Sequence, residues 1–439
     1  MVQRRRAVAL VTVSIAALAT TACGPGAVQS NLAAEPPVTI TFWHGWSQPH
    51  EVKAIEDNLA RFHHAYPNIT VKEVKSISDD DMTKAIGSGK AEPDVVTSFS
   101  TNMVGQFCDS GDWIDLEPLM RQAKISPKRM FPRAVMDYTQ YGGKRCALPL
   151  LADSFGLYYN KDMFAAAGIA NPPRTLSELR ADAIKLTRRN GDGSIAVAGF
   201  PPLTDLYEMS AYRLIANWQP QYFDSQGHSN LARDPAIQGF LNWQKDLVNA
   251  EGGYSALSAF QSSLGDEFSP QNAFEAGRIA MMFDGEWRNA NLTQDKVPFT
   301  YGTAPFPVPD NLPDTYGAGY LAGTVIGISK NSQQQPAAWQ LVKFMTTQTD
   351  ALTSFAQAIT NVPSTFQSLD AVPQLSSNPN FKTFLDIFAS PDSGTTPTSR
   401  DGSSARGGFD DLVHRWEAGD VRNPAAELAA LDQRIDAAA

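Results

Sequence analysis

Hydrophobic and polar positions along this chain switch repeatedly between two periods. Val38-Thr-Ile-Thr-Phe-Trp43 alternates β-branched and aromatic residues, which predicts a strand. Val52, Ile55, Leu59, Phe62 and Tyr66 then recur at spacings of three and four, one face of an amphipathic helix over 51–66 that Pro67 stops. Ile69–Val74 reads as the next strand, Asp79–Ile86 as a short helix and Pro93–Phe99 as a buried strand. Strands separated by helical stretches predict βαβ units and a parallel sheet. The alternation returns with a strand at Leu157–Tyr159, a helix at Lys161–Ala167, and helices at Leu176–Arg189, Ile237–Val248 and, briefly, Asn272–Ala276. Strands at Ile279–Phe283 and Thr324–Ser329 and a helix at Pro336–Thr347 follow. Residues 391–408 are almost all turn formers and predict a long surface loop.

The first 23 residues break this pattern. Arg4, Arg5 and Arg6 precede an uncharged run, Ala7–Ala19. That run is shorter than the ~20 residues a membrane span needs, so residues 1–22 read as a secretory signal peptide. Small residues leading into Cys23 and Gly24 resemble a bacterial lipoprotein signal, in which the cysteine is lipidated and becomes the mature N-terminus. Thr20 departs from that pattern, where an aliphatic residue is usual, and an ordinary cleaved signal is the alternative. Residues 23–37 then form a lipid-anchored tether, rich in Gly, Pro and small residues. The expected location is the outer face of the cytoplasmic membrane. With Cys23 so used, Cys108 and Cys146 remain, and in an exported protein these two are expected to pair.

The chain has 439 residues, 43% hydrophobic and 19% charged, enough for a sizeable core in two or three domains. Lys and Arg number 36 against 46 Asp and Glu, and without a basic tract this argues against a nucleic-acid partner. Six histidines, two of them adjacent, give little material for a dense metal site, and neither metal nor cofactor is expected. No G-x-S-x-G, H-E-x-x-H, C-x-x-C or Walker A loop occurs, so the chain does not read as an enzyme of those classes. Gly317-x-Gly319-x-x-Ala322 matches the dinucleotide fingerprint by letter, but it precedes a strand instead of following one. Its glycines read as a turn where the backbone approaches a neighbour closely.

Aromatic residues at strand ends are more informative. In open α/β sheets, ligands bind beyond the carboxyl ends of the strands. Trp43, His44 and Trp46 follow the first strand, Ser98, Ser100 and Thr101 follow the third, and Trp287 follows the turn Asp284-Gly285-Glu286. A Trp face packs against the apolar face of a pyranose, while carboxylates, amides and hydroxyls take the sugar's hydroxyl groups. Trp43, Trp46, Trp218 and Trp287 are therefore platform candidates. Trp243 and Trp339 lie inside helices and read as core, and Trp113 and Trp416 lean the same way.

Leu157-Tyr-Tyr-Asn-Lys-Asp-Met-Phe-Ala-Ala-Ala-Gly168 and Ala273-Phe-Glu-Ala-Gly-Arg-Ile-Ala-Met-Met-Phe-Asp-Gly-Glu-Trp287 resemble two ordered segments of the family 1 extracellular solute-binding proteins. These are the sugar-binding components of ABC importers. Ile40–His44, Pro93–Val96, Tyr301–Pro307, Gly317–Lys330 and Ala338–Phe344 fit in the same order. Within the family the chain is most similar to mycobacterial and related actinobacterial lipoproteins. The resemblance implies an α/β, two-lobed periplasmic-binding-protein fold (a Venus flytrap) with a hinge of crossover segments. The first lobe is then 38–152 plus 316–362 and the second 153–315 plus 363–439, with crossovers near Leu151–Phe155, Pro307–Asp314 and Asn361–Ser364. It implies ligand contacts from the Trp43–Trp46 loop with His44, from Ser98, Ser100 and Thr101, and from Asp153, Trp218, Trp287, Gly319 and Tyr320. Asp205, Asp284, Glu286 and Arg406 are further candidates.

The expected partners are a small-molecule carbohydrate, the transmembrane subunits of an ABC permease, and the membrane through a lipid anchor; a monomer is expected. The excess of acids among the candidates favours a neutral or amino sugar over a phosphate ester. The alternative is a secreted carbohydrate-active hydrolase that uses the pair Asp284 and Glu286.

Overall fold

The computed structural model describes residues 36–88, 93–400 and 403–438. The expected signal peptide, most of the tether and Cys23 lie outside the described residues. Among the described residues twelve strands occur in chain order: β1 (Val38–Trp43), β2 (Ile69–Val74), β3 (Val95–Ser98), β4 (Ala147–Pro149), β5 (Leu151–Asn160), β6 (Arg188–Arg189), β7 (Ile195–Val197), β8 (Met281–Gly285), β9 (Tyr301–Ala304), β10 (Leu321–Ala322), β11 (Val325–Ile328) and β12 (Val362–Pro363).

The first sheet runs β2-β1-β3-β11-β4. The three N-terminal strands are parallel, as βαβ units require, but β11 is antiparallel to both β3 and β4. The wholly parallel sheet expected from the alternation is therefore corrected to a mixed one. The reason is topological: β11 arrives from far along the chain, so no crossover helix fixes its direction.

The second sheet is built on β5. Its first residues pair with β12 and β10, and Phe155–Asn160 pairs with β8 and β9, all antiparallel. Tyr320 still belongs to this side: Phe155 N donates to its carbonyl at 3.2 Å, and Leu321 N donates to Gly394 O at 2.8 Å. Leu150 N, in turn, bonds to Thr324 O at 2.8 Å.

The helix Pro49–Ala65 buries Ala54, Ile55, Asn58 and Phe62, a face rotated slightly from the expected one, so that Val52 and Leu59 are only half-buried. Asn58 is tolerated in the core because its Nδ2 donates to Ala351 O at 3.1 Å and its Oδ1 accepts from Arg61. Asn272–Ala276 makes one turn, not a helix: the turn ends at Gly277, whose φ is 66°, with Arg278 N bonded back to Ala273 O.

Residues 403–408 are not loop but the start of the helix Ser403–Ala418. Gly408 is where the helix Pro424–Ala438 crosses it; a Cβ there would lie 2.9 Å from Leu431 Cδ1. Close helix packing thus overrides the turn-forming composition. The glycines near 317–319 act as the sequence suggested: Gly317 has φ 118°, and a Cβ on Gly319 would lie 2.8 Å from Phe155 O.

Cys108 and Cys146 form a disulfide, with Cα atoms 5.5 Å apart, that ties the helix Met103–Ser110 to the entry of β4. Thiol titration of the unfolded, unreduced chain lacking residues 1–23 should find no free thiol. Closing a loop of this length restricts the unfolded chain by roughly 3–4 kcal/mol, so reduction should lower the melting temperature by several degrees. Two titratable thiols would refute the bridge.

Candidate functional site

A cavity of about 640 Å³ opens where the carboxyl ends of β1 and β3 face β5 and β8, within the size range of small-molecule sites. Its first wall grows out of β1. Strand alternation puts Ile40, Phe42 and His44 on one buried side, and the next aromatic in line is Trp46. Ring centroids run Phe42–His44 5.4 Å, His44–Trp46 5.6 Å and Trp46–Phe99 5.3 Å, an aromatic series from the core to the cavity lip. Phe99 is 49% exposed at the lip. Gly45 lets it lie there, since a Cβ would sit 2.5 Å from the Phe99 ring. Ser100 and Thr101 complete this wall.

The second wall is organised by Phe155 of β5. The ring of Trp287 meets it edge-on at 5.4 Å and that of Tyr320 at 5.5 Å, while the Arg213 guanidinium lies 4.9 Å from its centroid. Trp287 folds back over the strand end because residue 285 is glycine; a Cβ there would lie 2.2 Å from the indole. The Trp287 ring lines the cavity, while its Nε1 is shielded from solvent and has no protein partner. Arg406 stacks on Tyr212 at 3.7 Å and donates to Asn102 Oδ1 at 2.9 Å. Because Asn102 belongs to the first wall and Arg406 to the second, this contact spans the cavity edge. Arg400 with Asp109 (2.8 Å) bridges the same edge.

Four acids were expected at the site, and only Asp153 is there. Burial raises its carboxyl to about 6, while Asn361 Nδ2, donating at 3.3 Å, and the nearby Arg213 hold it down. Glu208, raised by burial, pairs with Arg213. Asp284 is fully buried and bonded to the equally buried Arg288 at 2.7 Å; its role is to neutralise that cation. Glu286 is fully buried beneath the cavity floor and accepts from Ser154 N at 2.9 Å; burial raises its carboxyl well above the ordinary range. Asp205 lies on the outer surface, bonded to Gln261.

Of the other expected contacts, Trp46, Ser100, Thr101, Trp287 and Arg406 line the cavity. Trp43 and His44 do not: Trp43 is half-buried in the sheet, and His44, 1% exposed, bonds to Glu73 at 2.8 Å. Ser98 is buried and accepts from Ser100 N, shaping the loop and not the cavity surface. Trp218, 6% exposed, packs on Phe240 and Trp243 at a separate depression. Gly319 and Tyr320 are buried behind Phe155. Reading the sequence missed Phe155, Glu208, Tyr212, Arg213 and Asn361. Asp153 and Ser154 disguised the start of β5, and residues 200–218 carry no periodicity.

A family profile described as bacterial extracellular solute-binding protein matches residues 46–351. The chain belongs to that family. As a solute-binding protein it is a binding protein and not an enzyme. It is 26% identical over 231 residues to a putative binding protein of Brucella abortus, 52% of this chain and 53% of that one, so the match spans about half the length of that relative. It is 23% identical over 347 residues to the maltotriose-binding protein of Pyrococcus abyssi, 77% of this chain and 69% of that one. The fold matches a solved structure described as CpMnBP1 with mannotriose bound, at a TM-score of 0.76 and 21% identity, over 91% of this chain and all of that one. Among the described residues, no helix of this solute-binding protein is long and apolar enough to cross a membrane.

Trp287 and Trp339 separate the two uses of a large ring. Trp287→Ala should leave stability near that of the parent while weakening ligand binding by tenfold or more, as expected for a lost ring contact of ~1.5 kcal/mol or above. Trp339, buried at 6% exposure, should instead cost ~3–5 kcal/mol when changed to Ala and leave affinity unchanged. Thermal melts and calorimetric titration read both.

Proposed function

We propose that this protein captures a carbohydrate between the two cavity walls and delivers it to the permease of an ABC importer. The observation that carries the reading is the pairing of aromatic rings with polar groups: Trp46 and Trp287 line a cavity that is also lined by Asp153 and Asn361. The maltotriose-binding relative supports a sugar as ligand, and family membership supports the permease as partner. Membrane attachment through a lipid on Cys23 and a monomeric state belong to the same proposal.

The cavity charges favour a neutral sugar first and an amino sugar next. Glu208 and Arg213 neutralise each other, and Arg406 is engaged with Tyr212 and Asn102. Among the described residues lining the cavity, that leaves Arg406 as a single arginine without an ion-pair partner, its guanidinium already held by a ring and an amide, against the several cationic donors that suit a phosphate. The lobes are proposed as 38–152 plus 325–362 and 153–320 plus 363–439, with the second passage moved from Pro307–Asp314 to Leu321–Thr324 and the boundary at 315/316 moved with it. The bonds of Tyr320 and Leu321 to β5 and Gly394 support that shift. β5, β10 and β12 then form the hinge.

A melting-temperature screen against neutral, amino and phosphorylated sugars tests the reading, because a ligand that binds only the native state raises the transition. A neutral oligosaccharide should give the largest rise and should reduce the radius of gyration in solution scattering. Turnover of the sugar, or a preference for phosphate esters, would overturn it.

Asp153 gives a pH signature. Its folded-state value near 6 exceeds the ordinary 3.8, so the unliganded fold loses stability as pH rises from about 4 to about 6 and the buried group ionises. A sugar hydroxyl donating to the carboxylate favours the charged form, so affinity should fall as pH drops through about 6. Asp153→Asn should flatten that profile and weaken binding at pH 7.

A further inference from the structure

Away from the cavity, three side chains with metal-ligand chemistry meet between the helix Ser403–Ala418 and the loop at Thr204–Asp205. His414 Nδ1 lies 3.2 Å from Glu417 Oε1 and 3.9 Å from Asp205 Oδ2. One ligand atom from each residue falls within 4.8 Å of the others. Two ligands each ~2.1 Å from a tetrahedral zinc-type ion stand about 3.4 Å apart, close to these spacings.

Two further observations point to a cation. His414 Nδ1 is shielded from solvent yet has no hydrogen-bond partner, because its approach to Glu417 lacks hydrogen-bond direction. Glu417 is fully buried, and among the described residues its only ion-pair contact is His414.

The surroundings hold the ligands in place. Thr204 N and Oγ1 and the Gln244 amide donate to the Glu417 carboxylate, and the Tyr254 hydroxyl lies 3.5 Å from His414 Nε2. Such outer contacts fix ligand orientation in metal sites. Asp205 is exposed and gives an ion a way in from solvent.

We propose that Asp205, His414 and Glu417 bind one divalent transition-metal ion of the zinc class, with the fourth position open to water. One imidazole and two carboxylates suit such ions. Six scattered histidines gave no reason to expect this site; it exists only because the chain brings residue 205 to residues 414 and 417. Its place in the fold gives it a consequence. The helix that carries His414 also carries Arg406, and the loop that carries Asp205 leads to Glu208 and Arg213. An ion would clip together two parts of the second cavity wall.

The test uses the full chain after chelator treatment, titrated with Co²⁺ and read by visible absorption, then melted with and without Zn²⁺. Tetrahedral-type bands saturating at one equivalent, with a rise in melting temperature, are expected. His414→Ala and Asp205→Asn both alter residues open to solvent, so both variants should fold, which their melting curves without metal verify. His414→Ala should weaken binding by more than about 100-fold, since even outer-shell changes cost about 10–100-fold. His63→Ala/His64→Ala, the adjacent pair on another helix, should leave binding intact. Absence of binding to the parent, binding unchanged in His414→Ala, or binding lost in the His63/His64 variant would each overturn the site.

Discussion

One strand, Leu151–Asn160, holds the cavity together because both of its ends are fully committed in hydrogen bonding. Its first residues pair with β10 and β12, where the chain passes between the sheets, and its later residues pair with β8 and β9. The side chains inherit this arrangement. Asp153 sits at the passage, and Phe155, two residues on, anchors Trp287, Tyr320 and Arg213. In the proposed division into lobes, the strand that would act as hinge is the same one that carries the second wall.

The division of charge follows from burial. Asp284 and Arg288 are both removed from water, and leaving either unpaired would be costly, so they hold each other and the end of β8. Glu286 serves as a buried acceptor for Ser154 N. Asp153 differs in facing the cavity with one amide partner, which leaves acceptor capacity for a ligand hydroxyl. Asp284 and Glu286, two residues apart in sequence, thus hold different buried partners, while Asp153, on another strand, faces the cavity.

The two tryptophans depend on glycine. Gly285 allows the Trp287 indole to lie across the strand end, and Gly45 allows Phe99 to cover Trp46. At both walls a residue without a Cβ makes room for an aromatic ring, so a methyl group at either position would displace a cavity ring without touching the ligand.

Legible in the sequence alone were the N-terminal βαβ units, the family, the pairing of Cys108 with Cys146, and the choice of Trp46 and Trp287, both of which line the cavity. Each is written in local periodicity, in a short ordered motif, or in the elimination of other cysteines. It also identified the Gly317–Gly319 turn as a close backbone approach. Tertiary packing was needed to bury His44, Trp218, Asp284 and Glu286 away from the cavity lining and to bring Phe155, Tyr212, Arg213 and Asn361 into it. It also turned residues 403–408 into helix. The physical reason is the same in each case. Periodicity tells which face of an element is apolar, but a cavity forms between elements distant in sequence, and whether a polar side chain faces that space or a buried partner depends on where the other elements pack.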